Sequence, residues 1–375
     1  MKILFLIFHG FSEANGISKK IHYQVAGLKA NGHDVDLCYY AVDEVTGHRF
    51  RMINDTKLKD YGTGAWAKLK KRTCYGAIRQ YITNNDIQFV YVRSDHNANP
   101  FTIHFFKQLR KSGIKTVMEI PTYPYDQEYE GFPLQTRIEL YTDKCFRRIL
   151  AKQLDHIITF SDYPQIFGAP TICISNGIDF KHINIKESRN DTHNKIHFIG
   201  VAEVHYWHGY DRMVKGIGEY YRQSPTKEVY FHIIGGICQA DKEIFQSIIS
   251  EYNIEKYILF HGQKSGKELD DLFEECDMAI GSLARHRSHI DKIKTLKNRE
   301  YAARGIPFIY SETDEDFEAM PYILKVPADE TAIDINHILS FYEQLSYTAE
   351  DIRNSIQHLS WKEQMKKVLE YTFNR

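Results

Sequence analysis

The chain of 375 residues is 43% hydrophobic and has a net charge of -1. At roughly 100–200 residues per domain, its length predicts two domains with full hydrophobic cores, and its balanced net charge does not indicate a nucleic-acid-binding protein. The six cysteines lie far apart, without a CxxC motif or a zinc-ligand spacing, which favours free thiols in a reducing cytoplasm. The apolar start MKILFLIFHGF is too short to span a membrane, so we expect a buried first strand in a cytoplasmic protein.

The first half of the chain alternates between apolar runs of strand length and segments of helix length. The predicted strands are KILFLIF, VDLCYY, FVYVRS, KTVMEI, HIITFS and TICIS, with a long polar segment after VDLCYY. The predicted helices are ISKKIHYQVAGLKANG, WAKLKKRTCYGAIRQYITNN and FTIHFFKQLRKSG. This alternation predicts an α/β domain in which helices cover a parallel sheet.

The alternation restarts in the second half, with KIHFIGV, EVYFHIIGG, YILFHG, DMAIGS and IPFIYS as strands. We therefore expect two doubly wound, Rossmann-like parallel-sheet domains that face each other across a cleft, at 1–180 and 195–359. The polar stretch 181–194 is the predicted linker, and the amphipathic helix at about 360–375 either belongs to the second domain or packs back on the first. Ligands of such sheets bind beyond the carboxyl ends of the strands, so the residues there are the candidates for function.

Two connections of the first domain carry candidate residues. Asn15 and Gly16 follow the first strand and precede a helix, where a glycine lets a phosphate or sugar approach the backbone; ordinary turn chemistry is the alternative. The connection EIPTYPYDQEYEG contains Glu119, Tyr123 and Tyr125, followed by Asp126. Tyrosines stack on sugars and carboxylates bind hydroxyls, but a rigid proline turn packed by tyrosines explains the composition equally well.

The first loop of the second domain is rich in histidine. His205 and His208 flank Trp207 at a spacing of three, which suits two metal ligands on one helix face, but no third ligand lies near them in sequence. We favour imidazole groups and Arg212 as donors to a phosphate or sugar.

A basic segment precedes the last predicted strand. Arg285 and Lys297 are among five cations between 285 and 297, and they lead into a helix that is predicted to begin near Thr295 and end at Gly305. Cations at a helix N-terminus suit a diphosphate, although most charged runs are solvated faces. Glu300 lies on this helix among small and apolar residues, where it either pairs with Arg299 or Arg304 or binds the hydroxyls of a ribose.

The segment WAKLKKRTCYGAIRQYI combines two aromatic residues with four cations. Contact with an anionic membrane surface is one interpretation, and a solvated helix face is the other. The residues concerned are Trp66, Lys68, Lys70, Lys71, Arg72 and Tyr75.

The chain resembles the group-1 (family 4 type) retaining GT-B glycosyltransferases, especially those that build bacterial surface polysaccharides. The matching stretches are NGISKK, EIPTYPYD, TFSDYP, ISNGID, WHGYDR and LKNREYAARGIPFI, which occur in the family's order between residue 15 and about 310. The resemblance implies transfer of a sugar from a UDP- or GDP-linked donor to a glycan or lipid-linked hydroxyl acceptor. It also implies retention of the anomeric configuration and no metal or other cofactor.

The resemblance assigns residues one by one. Glu300 matches the second of two glutamates in the family's pattern, which holds the ribose, and Gly16 matches a glycine beside the diphosphate. The position of the family's first glutamate is occupied by Lys292, so the contacts that hold the donor sugar are expected to differ from those of the family. His208 stands at a diphosphate-binding lysine, and no arginine matches the family's other cation, so Arg212, Arg285 or Lys297 is expected to replace it.

For the chemical step the resemblance favours attack on the face that the leaving group departs from. A double displacement needs a carboxylate nucleophile; no residue stands out in this role, and Asp95, Glu119 and Asp126 are left open. The predicted catalytic residues are Glu119, Asp126 and His208. Two rival functions use the same scaffold. One is a nucleotide-sugar epimerase, which needs no acceptor, and the other is a non-catalytic partner subunit, which the departure at Lys292 favours.

Overall fold

A computed structural model describes residues 1–11, 16–126, 134–187 and 194–373. These residues form two compact units. Unit 1 comprises Met1–Gly177 together with the C-terminal helix, and unit 2 comprises Ile178–Ser360. Across the described ranges, none of the helices combines the length and the apolar character that crossing a membrane requires.

The described part of unit 1 contains a nine-stranded sheet in the order β4-β3-β2-β1-β5-β6-β7-β9-β8. Its strands are β1 (Lys2–Leu6), β2 (Asp34–Val42), β3 (Arg49–Ile53), β4 (Thr56–Asp60), β5 (Phe89–Arg93), β6 (Lys115–Glu119), β7 (His156–Thr159), β8 (Gln165–Ile166) and β9 (Ala169–Cys173). Its helices are α1 (Gly16–Ala30), α2 (Gly64–Thr73), α3 (Gly76–Asn84), α4 (Pro100–Lys111) and α5 (Leu134–Ala151). The six strands β2, β1, β5, β6, β7 and β9, which are adjacent in this order, run parallel to one another. Strand β3 is antiparallel to β2 and β4, and β8 is antiparallel to β9.

The central strands of unit 1 are apolar along their whole length because both faces of the sheet are covered. In β1, Leu4 and Leu6 pack into the cluster formed with α3, α4 and α5. Ile3 and Phe5 point to the opposite face, where they pack against α1 and the C-terminal helix. This two-sided burial confirms the predicted doubly wound architecture of this half.

Unit 2 contains a six-stranded, all-parallel sheet within its described residues, in the order β12-β11-β10-β13-β14-β15. The strands are β10 (Lys195–Val201), β11 (Glu228–Ile234), β12 (Ile258–Gly262), β13 (Met278–Ile280), β14 (Phe308–Tyr310) and β15 (Ile323–Lys325). The helices are α6 (Tyr210–Tyr221), α7 (Gln239–Tyr252), α8 (Lys267–Glu275), α9 (Leu296–Arg304), α10 (Ile335–Glu343) and α11 (Ala349–Ser355). Short 3-10 turns lie at Tyr206–His208, Glu255–Tyr257, Arg285–Ser288 and Gln357–Leu359.

The two faces of this sheet are again both covered. Ile196 and Phe198 of β10 pack with α6, α7 and α10, and Ile199 packs on the other side with α8, α9 and α11. The second predicted α/β domain is thereby confirmed.

The last helix, α12 (Trp361–Phe373), packs against α1 in unit 1. Trp361 and Met365 are buried beside Ile21 and Val25. The Ser175 N–H also donates to Gln364 Oε1 at 2.8 Å.

The change from unit 1 to unit 2 lies earlier than the predicted linker at 181–194. The Ile178 N–H donates to the Leu359 carbonyl at 2.8 Å, and Arg353 donates to the carbonyls of Phe180 and Ile183. These bonds place residues 178–187 in unit 2, and residues 188–193 lie outside the described part of the chain.

Several elements differ from the sequence prediction, which also lacks β8, β15, α10 and α11. The polar segment after β2 forms the antiparallel strands β3 and β4, and α5 occupies a stretch for which no helix is predicted. The single helix predicted from WAKLKKRTCYGAIRQYITNN is two helices, α2 and α3, since the backbone is extended at Cys74.

Gly27 allows α1 to approach α12, because a Cβ at this position would lie 2.6 Å from the Trp361 carbonyl oxygen. Overpacking of this kind costs about 1–3 kcal/mol, so we expect Gly27→Ala to lower the free energy of unfolding of unit 1 by that amount. Thermal and urea unfolding measure it. Gly76→Ala is the control, since a Cβ there meets no atom within 4 Å, and equal stability of the two variants would contradict this packing.

Candidate active site

The candidate site lies at the carboxyl ends of three neighbouring parallel strands of unit 2, β10, β13 and β14. Each strand is followed by a short segment that carries polar side chains. The turn Tyr206–His208 follows β10, the turn Arg285–Ser288 follows β13, and Ser311 and Glu312 follow β14. Parallel strands bring these three segments to one edge of the sheet.

The segments after β10 and β13 are in direct contact. The Leu283 N–H donates to the His208 carbonyl at 2.8 Å. Gly209 adopts a left-handed conformation with φ 64°, and a Cβ on it would lie 2.8 Å from the Cβ of Ala284. A glycine is therefore required here both by the backbone angle and by the close approach.

His208 is buried and neutral. Burial, and then the charges of Lys297 and Arg285, lower the pKa of its imidazole far below the usual range. Its Nδ1 accepts a hydrogen bond from the His205 N–H at 3.0 Å, so the ring proton is on Nε2. The imidazole is thus fixed as a hydrogen-bond donor through Nε2.

The N-terminus of α9 is held by a buried arginine. Arg299 donates to Asp314 through both terminal nitrogens, at 2.5 and 2.9 Å, and also donates to Asp316. Asn298 Nδ2 donates to Asp314 Oδ2 at 3.1 Å. These bonds tie α9 to the segment after β14, and so fix the positions of Lys297 and Glu312 relative to each other.

Several polar atoms in this region have no hydrogen-bond partner. In this region, such atoms belong to Ser282, Thr295, Lys297, Asn298 and Glu312, and others occur elsewhere among the described residues, for example at Gln24, Asn97 and Thr116. Buried polar groups in native proteins are almost always bonded, so a concentration of exceptions at one place indicates the position of a ligand or of ordered water.

Lys297 and Glu312 are the charged members of this group. Burial, together with the charge of Arg285, lowers the pKa of the Lys297 ammonium to about 7. Burial raises the pKa of the Glu312 carboxyl to about 7, although its own backbone N–H, Arg285 and Lys297 oppose that change. Arg285 lies with its guanidinium 5.7 Å from the ring centroid of Trp207.

This arrangement suits an anion. Two cations and an imidazole N–H lie beside the N-terminus of α9, whose backbone N–H groups carry partial positive charge. Removal of water around such a site strengthens every one of these interactions. The predicted donor-binding residues His208, Arg285 and Lys297 are therefore brought together in one place.

No protein-family model matches the chain, and no curated protein sequence matches it. Solved structures match along almost its whole length. Sucrose-phosphate synthase from Thermosynechococcus elongatus has a TM-score of 0.65 at 15% identity, over 99% of this chain and 97% of that one. A glycosyltransferase from Rickettsia africae has a TM-score of 0.65 at 11% identity, over 99% and 97%. HepE of Anabaena, solved with UDP, has a TM-score of 0.59 at 15% identity, over 99% of each chain. HepE has also been solved with UDP-glucose.

The chain has the GT-B fold. The expected fold class is thereby confirmed. Identities of 11–15% establish the fold alone, and the activity has to be argued from the residues of this chain.

Glu300 lies on α9 and is about one-third exposed. Its Oε1 accepts from Arg304 Nε at 3.1 Å and from Nη2 at 2.9 Å, and Arg304 also pairs with Asp270 at 2.8 Å. The simpler of the two sequence interpretations, pairing with Arg304, is thus present, and ribose binding by Glu300 stays a prediction.

Arg212 is bonded within unit 2. Its guanidinium donates to the carbonyls of Leu283, Pro327 and Thr331, and to Asp329 Oδ1 at 3.2 Å. These bonds argue against direct contact with a diphosphate, because such contact would require them to be broken. The side chain instead fixes the segment that leads to Arg285.

Glu119, predicted as catalytic, is buried in unit 1. It accepts from Tyr91 Oη and Gln24 Nε2, each at 2.6 Å, and pairs with Lys20 and Arg93. Although burial opposes ionisation, these partners lower the pKa of Glu119 to about 2. The carboxylate is ionised and fully engaged, which argues against its acting as a nucleophile.

The other candidates of unit 1 lie close to one another. Asp126 accepts two bonds from Arg147, at 2.7 and 3.1 Å, and the buried Tyr125 donates to Asp143 at 2.7 Å. Tyr123 packs edge-on against Phe167. The alternative interpretation of a turn packed by tyrosines fits these contacts. Gly16 is the first residue of α1, and Asn15 lies outside the described residues.

The segment WAKLKKRTCYGAIRQYI, for which membrane contact is one of two interpretations, does not expose all of its aromatic and cationic residues. Tyr75 is buried, and Lys71 and Arg72 pair with Asp95 at 3.1 and 3.4 Å. The same contacts occupy Asp95, the third candidate nucleophile.

Glu312, Thr295 and Asn298 were not among the predicted site residues. Glu312 directly follows the predicted strand IPFIYS, so the strand-end rule identifies its location but not its burial. No group of three potential ligands able to hold a metal ion occurs within the described ranges.

Proposed function

We propose that this protein is a retaining glycosyltransferase that moves a sugar from a nucleotide-sugar donor to a hydroxyl acceptor without a metal ion. The observation that carries the proposal is the buried Lys297 ammonium, which has no hydrogen-bond partner within the described residues and lies with Arg285 and His208 at the N-terminus of α9. In a GT-B fold, such a site at the strand ends of one α/β unit suits the diphosphate of a nucleotide sugar.

The diphosphate gains negative charge as the glycosidic bond breaks. Lys297 and Arg285 oppose this charge directly, and the His208 Nε2–H donates to a phosphate oxygen without adding a charge of its own. Donors that are already in position contribute several kcal/mol to transition-state stabilisation in known enzymes, at about 2.7–4 kcal/mol for a single donor. These residues thereby perform the work that bound metal ions do in other transferases.

Glu300 is one helical turn beyond Lys297 on α9. Residues three apart on a helix lie on the same face, so a nucleotide whose diphosphate contacts Lys297 brings its ribose towards Glu300. The Arg304 contacts engage only Oε1 of Glu300. We therefore assign the second oxygen to the ribose hydroxyls.

The engaged carboxylates of unit 1 support front-face attack over double displacement. Glu119 and Asp126 are both bonded to arginine or lysine partners. In the front-face step the bond between the anomeric carbon and the phosphate oxygen breaks, and the acceptor oxygen bonds to the same face of that carbon. The acceptor proton passes to the leaving phosphate oxygen, so no protein base is needed.

We further propose that the donor is UDP- or GDP-linked and that the acceptor is a glycan or lipid-linked saccharide of surface polysaccharide assembly. HepE, which shares the fold, binds UDP-glucose. The rival functions remain distinguishable by experiment, because an epimerase converts the nucleotide sugar with no acceptor and a non-catalytic subunit shows no turnover.

Replacement of Lys297 tests the diphosphate site. We expect Lys297→Met to weaken binding of UDP or GDP about 10–100-fold, because charge-assisted bonds contribute about 1.5–3 kcal/mol. Isothermal titration calorimetry measures this. Lys267→Met is the matched control, since Lys267 is 85% exposed on α8 and pairs with Asp271, and it should bind like the wild type. Glu300→Ala should also weaken binding, through loss of the ribose contact, and equal affinity in all variants would exclude this site.

Turnover in the absence of metal tests the reaction. A thermal-shift screen of nucleotide sugars identifies the donor by the stabilisation that it produces. We expect that donor to react with an added saccharide acceptor equally fast with and without EDTA, and NMR of the product to show the donor's anomeric configuration. Dependence on a divalent ion, inversion of configuration, or conversion of the donor with no acceptor would each contradict the proposal.

A peripheral membrane contact through α2 remains part of the proposal. Trp66 and Leu69 are 76% and 50% exposed, and Lys68 and Lys70 are exposed beside them. Aromatic and aliphatic side chains next to lysines match a bilayer surface that contains anionic lipid.

Co-sedimentation with liposomes tests this contact. We expect binding to vesicles that contain phosphatidylglycerol and little binding to pure phosphatidylcholine. Trp66→Ala/Leu69→Ala should lower it by about 100-fold or more, since each buried side chain contributes about 1.5–3 kcal/mol. Ile244→Ala, at a residue of unit 2 that is 51% exposed, is the control, and equal binding by all three proteins would refute the contact.

A further inference from the structure

Glu312 has no structural task that its contacts reveal. The residue is 2% exposed, and its carboxylate oxygens have no hydrogen-bond partner on another described residue, although the backbone N–H of Glu312 itself interacts with the carboxylate. The segment that carries it is held by other bonds, since the Thr313 N–H donates to the Asp291 carbonyl at 2.7 Å and Lys325 donates to the Glu312 carbonyl. A neutral side chain would fill the position at lower cost, because an unpaired buried carboxylate is strongly disfavoured.

The surroundings of the Glu312 carboxylate are mainly cationic. Charged and titratable groups from each adjoining segment interact with Glu312 or with Lys297. They are His208 after β10, Tyr210 on α6, Arg285 after β13, Tyr301 on α9, and Asp314, which follows Glu312 by two residues. Asp314 is engaged by Arg299 and Asn298. Lys297 and Glu312 therefore influence each other's charge without a hydrogen bond between them.

We propose that Glu312 is a positioning residue of the diphosphate site, and that Glu312 and Lys297 share one proton in the empty site and take up a second from solvent when the donor binds. This inference rests on the proposed function. With two protons, the pair presents an ammonium group and a neutral carboxylic acid to the diphosphate. With one proton, the pair is either an ammonium and a carboxylate, whose charges cancel, or a neutral amine and a neutral carboxylic acid.

The electrostatics of the site support this exchange. Burial brings the pKa of both groups to about 7, so removal of the second proton costs little in the empty protein at neutral pH. A bound diphosphate favours positive charge nearby and raises both pKa values. Donor affinity should therefore fall as pH rises above 7, by about tenfold per pH unit for one proton taken up.

Calorimetry with UDP-glucose and GDP-mannose tests the proton uptake. These probes are suitable because their esterified diphosphates have no group that titrates near neutral pH, unlike UDP itself. Titrations in HEPES and in Tris, whose ionisation heats differ and neither of which contains phosphate, give the number of protons bound. We expect uptake of about one proton per site near pH 7.5 for whichever probe binds.

Variants locate the proton. Lys297→Arg/Glu312→Gln keeps a permanent cation and removes both titrating groups, so we expect it to bind the probe with no proton uptake and nearly constant affinity between about pH 6.5 and 8.5. Lys297→Met/Glu312→Gln, in which two neutral side chains replace the buried charges, should bind more weakly and also without uptake. His208→Gln should retain the uptake of the wild type.

The outcomes separate this inference from the proposed function. A nucleotide sugar that binds with no proton uptake, or with uptake that persists in both double variants, overturns the inference and leaves the diphosphate site intact. Uptake that disappears in His208→Gln assigns the proton to the imidazole and also overturns it. Failure of every nucleotide sugar to bind the wild type removes the proposed function and the inference together.

Discussion

A lysine whose side-chain nitrogen is buried without a hydrogen-bond partner is costly, and the described part of unit 2 keeps one, Lys297. Lys297 is held at the start of α9 because Arg299, itself buried, fastens that helix to Asp314 in the segment after β14. A ligand that brings two negative charges gains most from such a site, which is why we propose a diphosphate there.

Most of the fold could be predicted from the sequence, because central parallel strands read as uninterrupted apolar runs. The strands β3 and β4 could not, since RFRMI carries two arginines, TKLKD is largely polar, and backbone bonds along an antiparallel ladder hold the two strands together. Helix α5 was missed for a different reason. Ile138 and Tyr141 are 58% and 71% exposed, so apolar residues lie on both of its faces and obscure the helical period.

The site could be predicted only in part. Position after a strand was enough to select His208, Arg285 and Lys297, because the sheet brings the carboxyl ends of its strands together. It was not enough to separate Arg285 from Arg212, since only the contacts show that Arg212 is occupied by backbone carbonyls. Glu312 could not be predicted, because a sequence does not show that a carboxylate is buried without a hydrogen-bond partner on another residue.

The most direct test of the account is a crystal structure of the protein with UDP bound. The account predicts that Lys297 Nζ and the His208 Nε2–H lie within hydrogen-bond distance, about 2.7–3.2 Å, of phosphate oxygens, with the ribose facing Glu300. A nucleotide bound elsewhere on the chain, or a Lys297 ammonium that still lacks a partner in the complex, would contradict it.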